Sequence, residues 1–497
     1  KIDDSTRVEP VAGNDTYLTI DSSWQSAIYQ ILKQRVAGIL LSKIEASKTY
    51  DFSVNDAAQI KIPIYDVYNA LIANSVIDIN KFSDANASDT EKKLYAKFQQ
   101  KQQQVFDTIT NRLTAENPPA VKDEDDQIQE YLTYICDDLL RDTLGIISKN
   151  AIDTSDSTYQ KWTTDKDISL KDYLTYAASQ NWIDISKFST EGDYLDSDEV
   201  YQALTDYLID YLKKDTNFSK LLYKYMLQED TISGSEICLV LYEQGILSKD
   251  DDAYAALASG SMTAYDFMIN KIYNLEIEPA QLALEPCSAS AVITDVKTGD
   301  VLACVSYPGY DNNRLANTMD STYYNQLVTG LSRPFYNNAT QEKTAPGSTY
   351  KMISAVAALT EGIVTGDTAL VCSGEFDKVT PSPRCWIYPG AHGALNVVSA
   401  LDVSCNNYFY EVGYQLGLDE EGNYDSDKGV ETLAKYTEMF GLGETTGLEI
   451  PESEPQISDE YSVQSAIGQG TNNFTVSQLN RYVAAVANKG TVYKLSL

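Results

Sequence analysis

A chain of 497 residues is too long for one hydrophobic core, so two or three domains are expected. Its hydrophobic content of 43% describes a folded chain. The formal charge of −34 excludes a nucleic-acid binder, which needs clustered Lys and Arg, and argues against adsorption to an anionic lipid surface.

No stretch approaches the roughly 20 apolar residues of a membrane span. The opening KIDDSTRVEP lacks the apolar core of a signal peptide. The chain is therefore expected to be cytosolic, or part of a longer secreted or anchored protein. With a single histidine and no CxxC pair, neither a metal site nor a cofactor is expected. Cys372 and Cys385 bracket a short loop, which leaves a disulfide or two buried free thiols open.

In chain order, Tyr17-Leu18-Thr19-Ile20 reads as a short strand. Asp21 or Ser22 then caps an amphipathic helix through Trp24, Ile28, Ile31 and Leu32. Residues 45–284 change character: rich in Asp, Tyr, Lys and Gln, poor in Gly, and patterned as short amphipathic helices. Within them Ile62–Ser83 realigns without gaps on Ile168–Ser189. Ile77-Asp78-Ile79 matches Ile183-Asp184-Ile185, Lys81-Phe82-Ser83 matches Lys187-Phe188-Ser189, and Tyr95 falls on Tyr201. A duplicated helical module of about 45–150 and 151–284 is expected, divided near Lys122–Asp126, with Ile77, Ile79 and Phe82 buried like Ile183, Ile185 and Phe188. The 36 tyrosines, many in this stretch, read as helix-packing residues, with a carbohydrate-stacking surface as the alternative. The runs Asp123–Asp126 and Asp250–Asp252 read as solvated faces, since neither has the alternating ligands of a calcium loop.

At Glu285-Pro286 the pattern shifts again. SASAVITDVKTGDVLACVSYPGY alternates as two strands around a turn at Val296–Gly299. Residues 285–497 read as α+β.

Ala345-Pro346-Gly347-Ser348-Thr349-Tyr350-Lys351 opens a helix that runs to Gly362 and is apolar on most sides (Met352, Ile353, Val356, Leu359), hence central. Ser348 and Lys351, at i and i+3, share one face of its first turn. A serine hydroxyl becomes a nucleophile when a neighbouring base takes its proton, and burial lets lysine be that base. An isolated S-x-x-K is usually only a cap and a surface lysine. Here Ser404-Cys405-Asn406 follows between two helix-like runs, offering a second hydroxyl and an amide that can relay a proton and hold a substrate amide.

With these motifs the chain resembles the transpeptidase domain of class B penicillin-binding proteins, an S-x-x-K family. The resemblance extends to Leu18–Asp21 with Gln25, to Thr294–Pro308, to Gly441–Pro451, and to Gly468-Gln469-Gly470 followed by Gln478-Leu479 and Asn488-Lys489-Gly490. The phrasing at Cys385-Trp386 and His392-Gly393 is most like clostridial members. The resemblance implies a serine β-lactamase-like fold, a sheet with helices around a buried catalytic helix, divided into residues 1–44 and 285–497 by an all-α insertion. It implies that Ser348 is acylated by stem peptides ending in D-Ala-D-Ala, and by β-lactams that mimic them. Lys351 would take the serine proton, Ser404 would pass a proton to the leaving amine, and Asn406 would hold the donor peptide. Implied partners are peptidoglycan and cell-wall elongation or division proteins, at the outer face of the cytoplasmic membrane with an anchor upstream.

The family's third motif, K-T-G or K-S-G after S-x-N, is not found after Asn406. Lys297-Thr298-Gly299 precedes the nucleophile in a hairpin turn, so the chain is expected to stop short of the motif. Cys405 stands where some relatives carry Asp. His392 is expected to serve structural hydrogen bonding rather than a Ser-His-Asp triad. A hydrolase and a non-catalytic β-lactam sensor or inactive scaffold are the competing readings.

Overall fold

The computed structural model describes residues 13, 15–54, 56, 59–188, 196–249 and 252–497. Ser189, Asp250 and Asp251, which figure in the sequence patterns above, lie outside the described residues. The chain divides into two compact units, one of residues 1–36 and 286–497 and the other Ala37–Glu285. Among the described residues no helix is long and apolar enough to cross a membrane.

Helix α1 (Ser22–Lys43), whose residues up to Val36 fall in the first unit, starts where the Asp21 carboxylate accepts the Ser23 and Trp24 N–H groups. Its expected apolar face differs from the observed one. Trp24 and Ile31 are exposed, while Val36 and Leu40 further along the helix are buried. The segment Tyr17–Ile20 is not a strand. Thr19 donates its hydroxyl to Val301 O and Asp21 its N–H to Leu302 O, so a side chain does part of the anchoring that a ladder would do. Gln25 completes it, giving Nε2–H to Cys304 O (2.7 Å) and accepting Cys304 N–H at Oε1 (3.0 Å).

Those contacts fall on β2 (Val301–Tyr307), which pairs antiparallel with β1 (Ala289–Thr294) from Ala289↔Tyr307 to Thr294↔Val301. Val301, Ala303, Val305 and Tyr307 are buried on one face, as the alternation requires. Lys297, Thr298 and Gly299 form the turn between the strands, and Gly299 (φ +86°) is needed there because a Cβ would sit 2.4 Å from Lys494 O. Among the described residues the strands pair only in twos, including β3 (Leu370–Cys372) with β4 (Gly393–Leu395).

Helix α2 (Lys351–Thr360) packs against α3 (Asn406–Leu416) and α4 (Ser426–Met439). Ile353, Ala355, Ala357 and Ala358 are buried, but Val356 and Leu359 are exposed, so this helix is not enclosed on every side. Helix α5 (Val476–Ala487) lies on β1, where Asn480 bonds both Thr294 Oγ1 and Val292 O.

Among the described residues the regular structure of the second unit is helical except for short pairings: Ile44–Glu45 runs parallel to Ile62–Pro63, and Ile147 bridges Ile183. The two similar segments have the same local form. Helices Ile64–Ala73 and Leu170–Ser179 each end in a left-handed residue, Ser75 and Asn181. A buried Ile77 or Ile183 follows two positions on, then Asp78 or Asp184, which caps a short 3-10 turn. Capping boxes at Ser88/Glu91 and Asp196/Glu199 start the next helices. Burial is not equivalent throughout: Ile79 and Phe82 are buried, whereas Ile185 and Phe188 are only partly so.

The structure also shows this punctuation where the sequence comparison did not. Left-handed residues recur at Asp230, Gly245, Gly260 and Leu275. Each is followed two positions on by Ile232, Leu247, Met262 or Ile277, whose N–H reaches back to the carbonyl six residues earlier. Each stop therefore satisfies orphan helix carbonyls and drops an apolar side chain into the core.

Candidate active site

Ser348 lies in a 3-10 turn, Gly347–Tyr350, that runs directly into α2. The turn is held from behind. Gly347 (φ +56°) donates its N–H to Gly468 O at 3.0 Å, and Tyr482 donates its hydroxyl to Thr349 O at 2.8 Å. Gly468 (φ +73°) has no room for a side chain, since a Cβ would lie 2.2 Å from Gly347 O. Neither Tyr482 nor the Gly468 approach was singled out from the sequence as supporting Ser348. The recurrence of glycine in Gly468-Gln469-Gly470 was the available signal.

Ser348 is exposed, and among the described residues its hydroxyl has no hydrogen-bond partner. Lys351 is the opposite, at 1% exposure. Its Nζ donates to Ser404 O (2.8 Å), Ser404 Oγ (3.1 Å) and Asn406 Oδ1 (2.6 Å), and it lies 5.8 Å from the centre of the Phe409 ring. Burial holds its ammonium down at about 8. The structure thus brings Lys351, Ser404 and Asn406 into one hydrogen-bonded group. Ser348 stands one helical turn away from Lys351 in sequence without a bond to it. Ser404 has φ +49°, a conformation that non-glycine residues seldom adopt, and it turns the chain sharply between α3 and the helix Val397–Asp402.

Beside this group lies a cluster that sequence spacing did not reveal. All seven cysteines are free, Cys372 and Cys385 among them, so the bridge left open above is not formed. Cys372 ends β3 opposite Gly393 of β4, which sets His392 next to it. Cys385 arrives on a tight loop, with its N–H bonded to Gly374 O, and Gly374 (φ +92°) would carry a Cβ only 2.2 Å from Gly390 O. Cys405, the middle residue of Ser404-Cys405-Asn406, caps α3 with its sulfur, accepting the Tyr408 N–H at 3.4 Å. Burial pushes the Cys385 thiol up, but N–H groups of Asn407, Ile387 and Asn406 outweigh it and hold the thiol below its ordinary range. Burial pushes Cys405 up to about 12. His392 is bound into this cluster and touches none of Ser348, Lys351 and Ser404 by hydrogen bond among the described residues, so it forms no triad with them.

Residues 289–497 match the penicillin binding protein transpeptidase domain family. The chain is similar to the peptidoglycan D,D-transpeptidase MrdA of Haemophilus influenzae, 32% identical over 42% of this chain and 33% of that protein. It is also similar to the stage V sporulation protein D of Bacillus subtilis, 28% identical over 46% of this chain and 33% of that one. Among solved structures, Pseudomonas aeruginosa PBP2 is 27% identical over 45% of this chain and 52% of that chain, with a TM-score of 0.38. The chain spans about a third of the length of the curated relatives it matches.

Proposed function

We propose, from the match of residues 289–497 to the penicillin binding protein transpeptidase domain, that this chain is the acyl-transfer part of a class B peptidoglycan D,D-transpeptidase. The observation that carries the reading is the convergence of a buried, deprotonation-prone Lys351 on Ser404 and Asn406, one turn from an exposed Ser348.

In this reading Ser348 Oγ attacks the carbonyl of the penultimate D-Ala of a stem peptide, and the proton passes to Lys351. The helix start behind Ser348 favours the negative charge that develops on the carbonyl oxygen. Ser404, already bonded to the Lys351 amine, returns the proton to the departing D-Ala amine. Asn406 has an amide NH₂ left to hold the donor peptide. An acceptor amine then takes the acyl group from Ser348. β-Lactams present the same carbonyl in a strained ring and acylate the same oxygen. The site belongs at the outer face of the cytoplasmic membrane, where such stem peptides lie, alongside cell-wall synthesis partners.

Intact-protein mass spectrometry after penicillin should show one adduct, mapped to Ala345–Lys351, and absent in Ser348→Ala. An adduct that persists in that variant overturns the assignment. A donor–acceptor peptide assay then separates transfer from hydrolysis, and both from a sensor that acylates without turnover.

A further inference from the structure

We propose that a hollow among the helices of the unit Ala37–Glu285 is a binding site for a small oxyanion, a phosphate or a carboxylate. Its volume is about 190 Å³, room for a small molecule but not for a folded partner. Tyr95, Phe98 and Gln102 stand at i, i+3 and i+7 on helix Asp89–Thr114, so one face of that helix forms a wall. Thr216, Ser219 and Tyr223 do the same on helix Thr216–Gln228. Lys213 and Lys214, between that helix and helix Ser197–Leu212, join the lining.

The charge of the lining runs against that of the chain. There are 72 Asp and Glu residues against 38 Lys and Arg, yet no carboxylate lines the hollow and two lysines do. The nearby carboxylates are already engaged. Asp210 is paired with Lys213 at 3.0 Å, and Asp215 accepts the Asn217 and Phe218 N–H groups and the Tyr134 hydroxyl. Among the described residues Lys214 has neither an ion pair nor a hydrogen bond through its ammonium.

Hydrogen-bonding capacity is left over as well. Among the described residues the side chains of Tyr95, Gln102, Thr216 and Tyr223 make no hydrogen bond. Tyr223 carries the most weight. It is 1% exposed, its ring stacked on Phe98 at 4.8 Å and edge-on to Phe82 at 5.8 Å, so packing fixes where its hydroxyl lies. Burial, with the Tyr95 phenol close by, pushes it well above its ordinary range, and it stays a donor. A buried tyrosine whose hydroxyl lacks a partner is rare in a folded chain, and an anion in the hollow supplies the missing acceptor. Tyr201, which matches Tyr95 in the duplicated segment, gives its hydroxyl to Leu113 O at 2.7 Å, so the unspent group is not a feature of the repeat. Two phenols, a hydroxyl, an amide and an ammonium can all donate, which suits the lone pairs of a carboxylate or phosphate.

Isothermal titration calorimetry of the full chain tests the site without any acyl transfer. Inorganic phosphate and D-lactate are the probes, and they separate a phosphate ligand from a carboxylate one. At least one should bind saturably at a single site and raise the melting temperature. Lys214→Ala should weaken that binding about tenfold or more, the worth of a charged hydrogen bond, and Lys214→Arg should keep most of it. Tyr223→Phe retains both ring contacts and should weaken binding about threefold or more. Lys249→Ala, at an exposed lysine outside the hollow, should leave it unchanged. A wild-type chain that binds neither probe saturably, or unchanged binding when Lys214→Ala and Tyr223→Phe are combined, overturns the proposal.

Discussion

The turns of the two compact units are held by different means. The turns of the unit of residues 37–285 are written locally: helix, left-handed residue, apolar anchor, cap, and then again. The unit containing Ser348 is written at a distance, with Gly347 bonded to Gly468 and Lys351 to Asn406. Gly245 and Gly468 make the contrast concrete. Both have φ +73°, yet nothing lies within 4 Å of a Cβ at Gly245, while one at Gly468 would strike the backbone of the turn that carries Ser348. A local code tolerates a changed letter, whereas a long-range one passes the error to the site.

Substitutions across the two units sharpen this difference, beginning with the chemistry. Ser348→Ala should eliminate β-lactam acylation without altering the circular dichroism spectrum. Labelled product above background would place the nucleophile elsewhere.

Lys351→Ala should slow acylation by about 10² to 10⁴. In the wild type the amine loses its proton at about 8 instead of 10.5, so the acylation rate should climb with pH and level off above about 8. The sign for stability is the same. Between about 8 and 10.5 the unfolded chain binds the proton that the folded chain has shed, so stability rises with pH there, and the cost of the buried charge is felt in full below about 8. A rate profile flat from pH 6 to 10 would mean that another group takes the proton.

Gly468→Ala should cost about 2 kcal/mol in a denaturant melt, because the left-handed backbone strain is joined by a backbone clash. Its acylation rate should drop tenfold or more. Gly245→Ala should cost only about 1 kcal/mol, from the backbone alone, with the acylation rate unchanged. If the two alanine variants acylate equally fast, the Gly468–Gly347 approach does not hold the site.

What could be read from the sequence follows the same division. Ser348 and Lys351 were legible because one helical turn relates them. Ser404 and Asn406 were legible by their spacing within one loop. That both would meet the Lys351 amine is a tertiary fact that no window of sequence contains. The duplicated segment was visible where side-chain identities persist, at Ile77-Asp78-Ile79 and Ile183-Asp184-Ile185. The turns at Asp230, Gly245, Gly260 and Leu275 keep the left-handed backbone but not the residue type, since Asp and Leu occupy at a cost what Gly adopts freely, so identity matching passed over them. The cysteine cluster was missed because its donors are gathered by β3–β4 pairing and a helix cap instead of by a short repeat. A cysteine inside Ser404-Cys405-Asn406, with the single histidine nearby, was the only hint. Exposure of Val356 and Leu359 was hidden because an apolar helix looks buried whether or not every side has a neighbour.

The Gln25 clasp carries a consequence for how the protein is made. Its amide bonds both backbone groups of Cys304, and 279 residues separate the two. At about 5–20 residues per second, a ribosome reaches Cys304 on the order of tens of seconds after Gln25 has been joined. Through that interval the Gln25 amide has no native partner. Slowing chain emergence between Gln25 and Cys304 should therefore delay closure of the clasp, whereas slowing it after Cys304 should not.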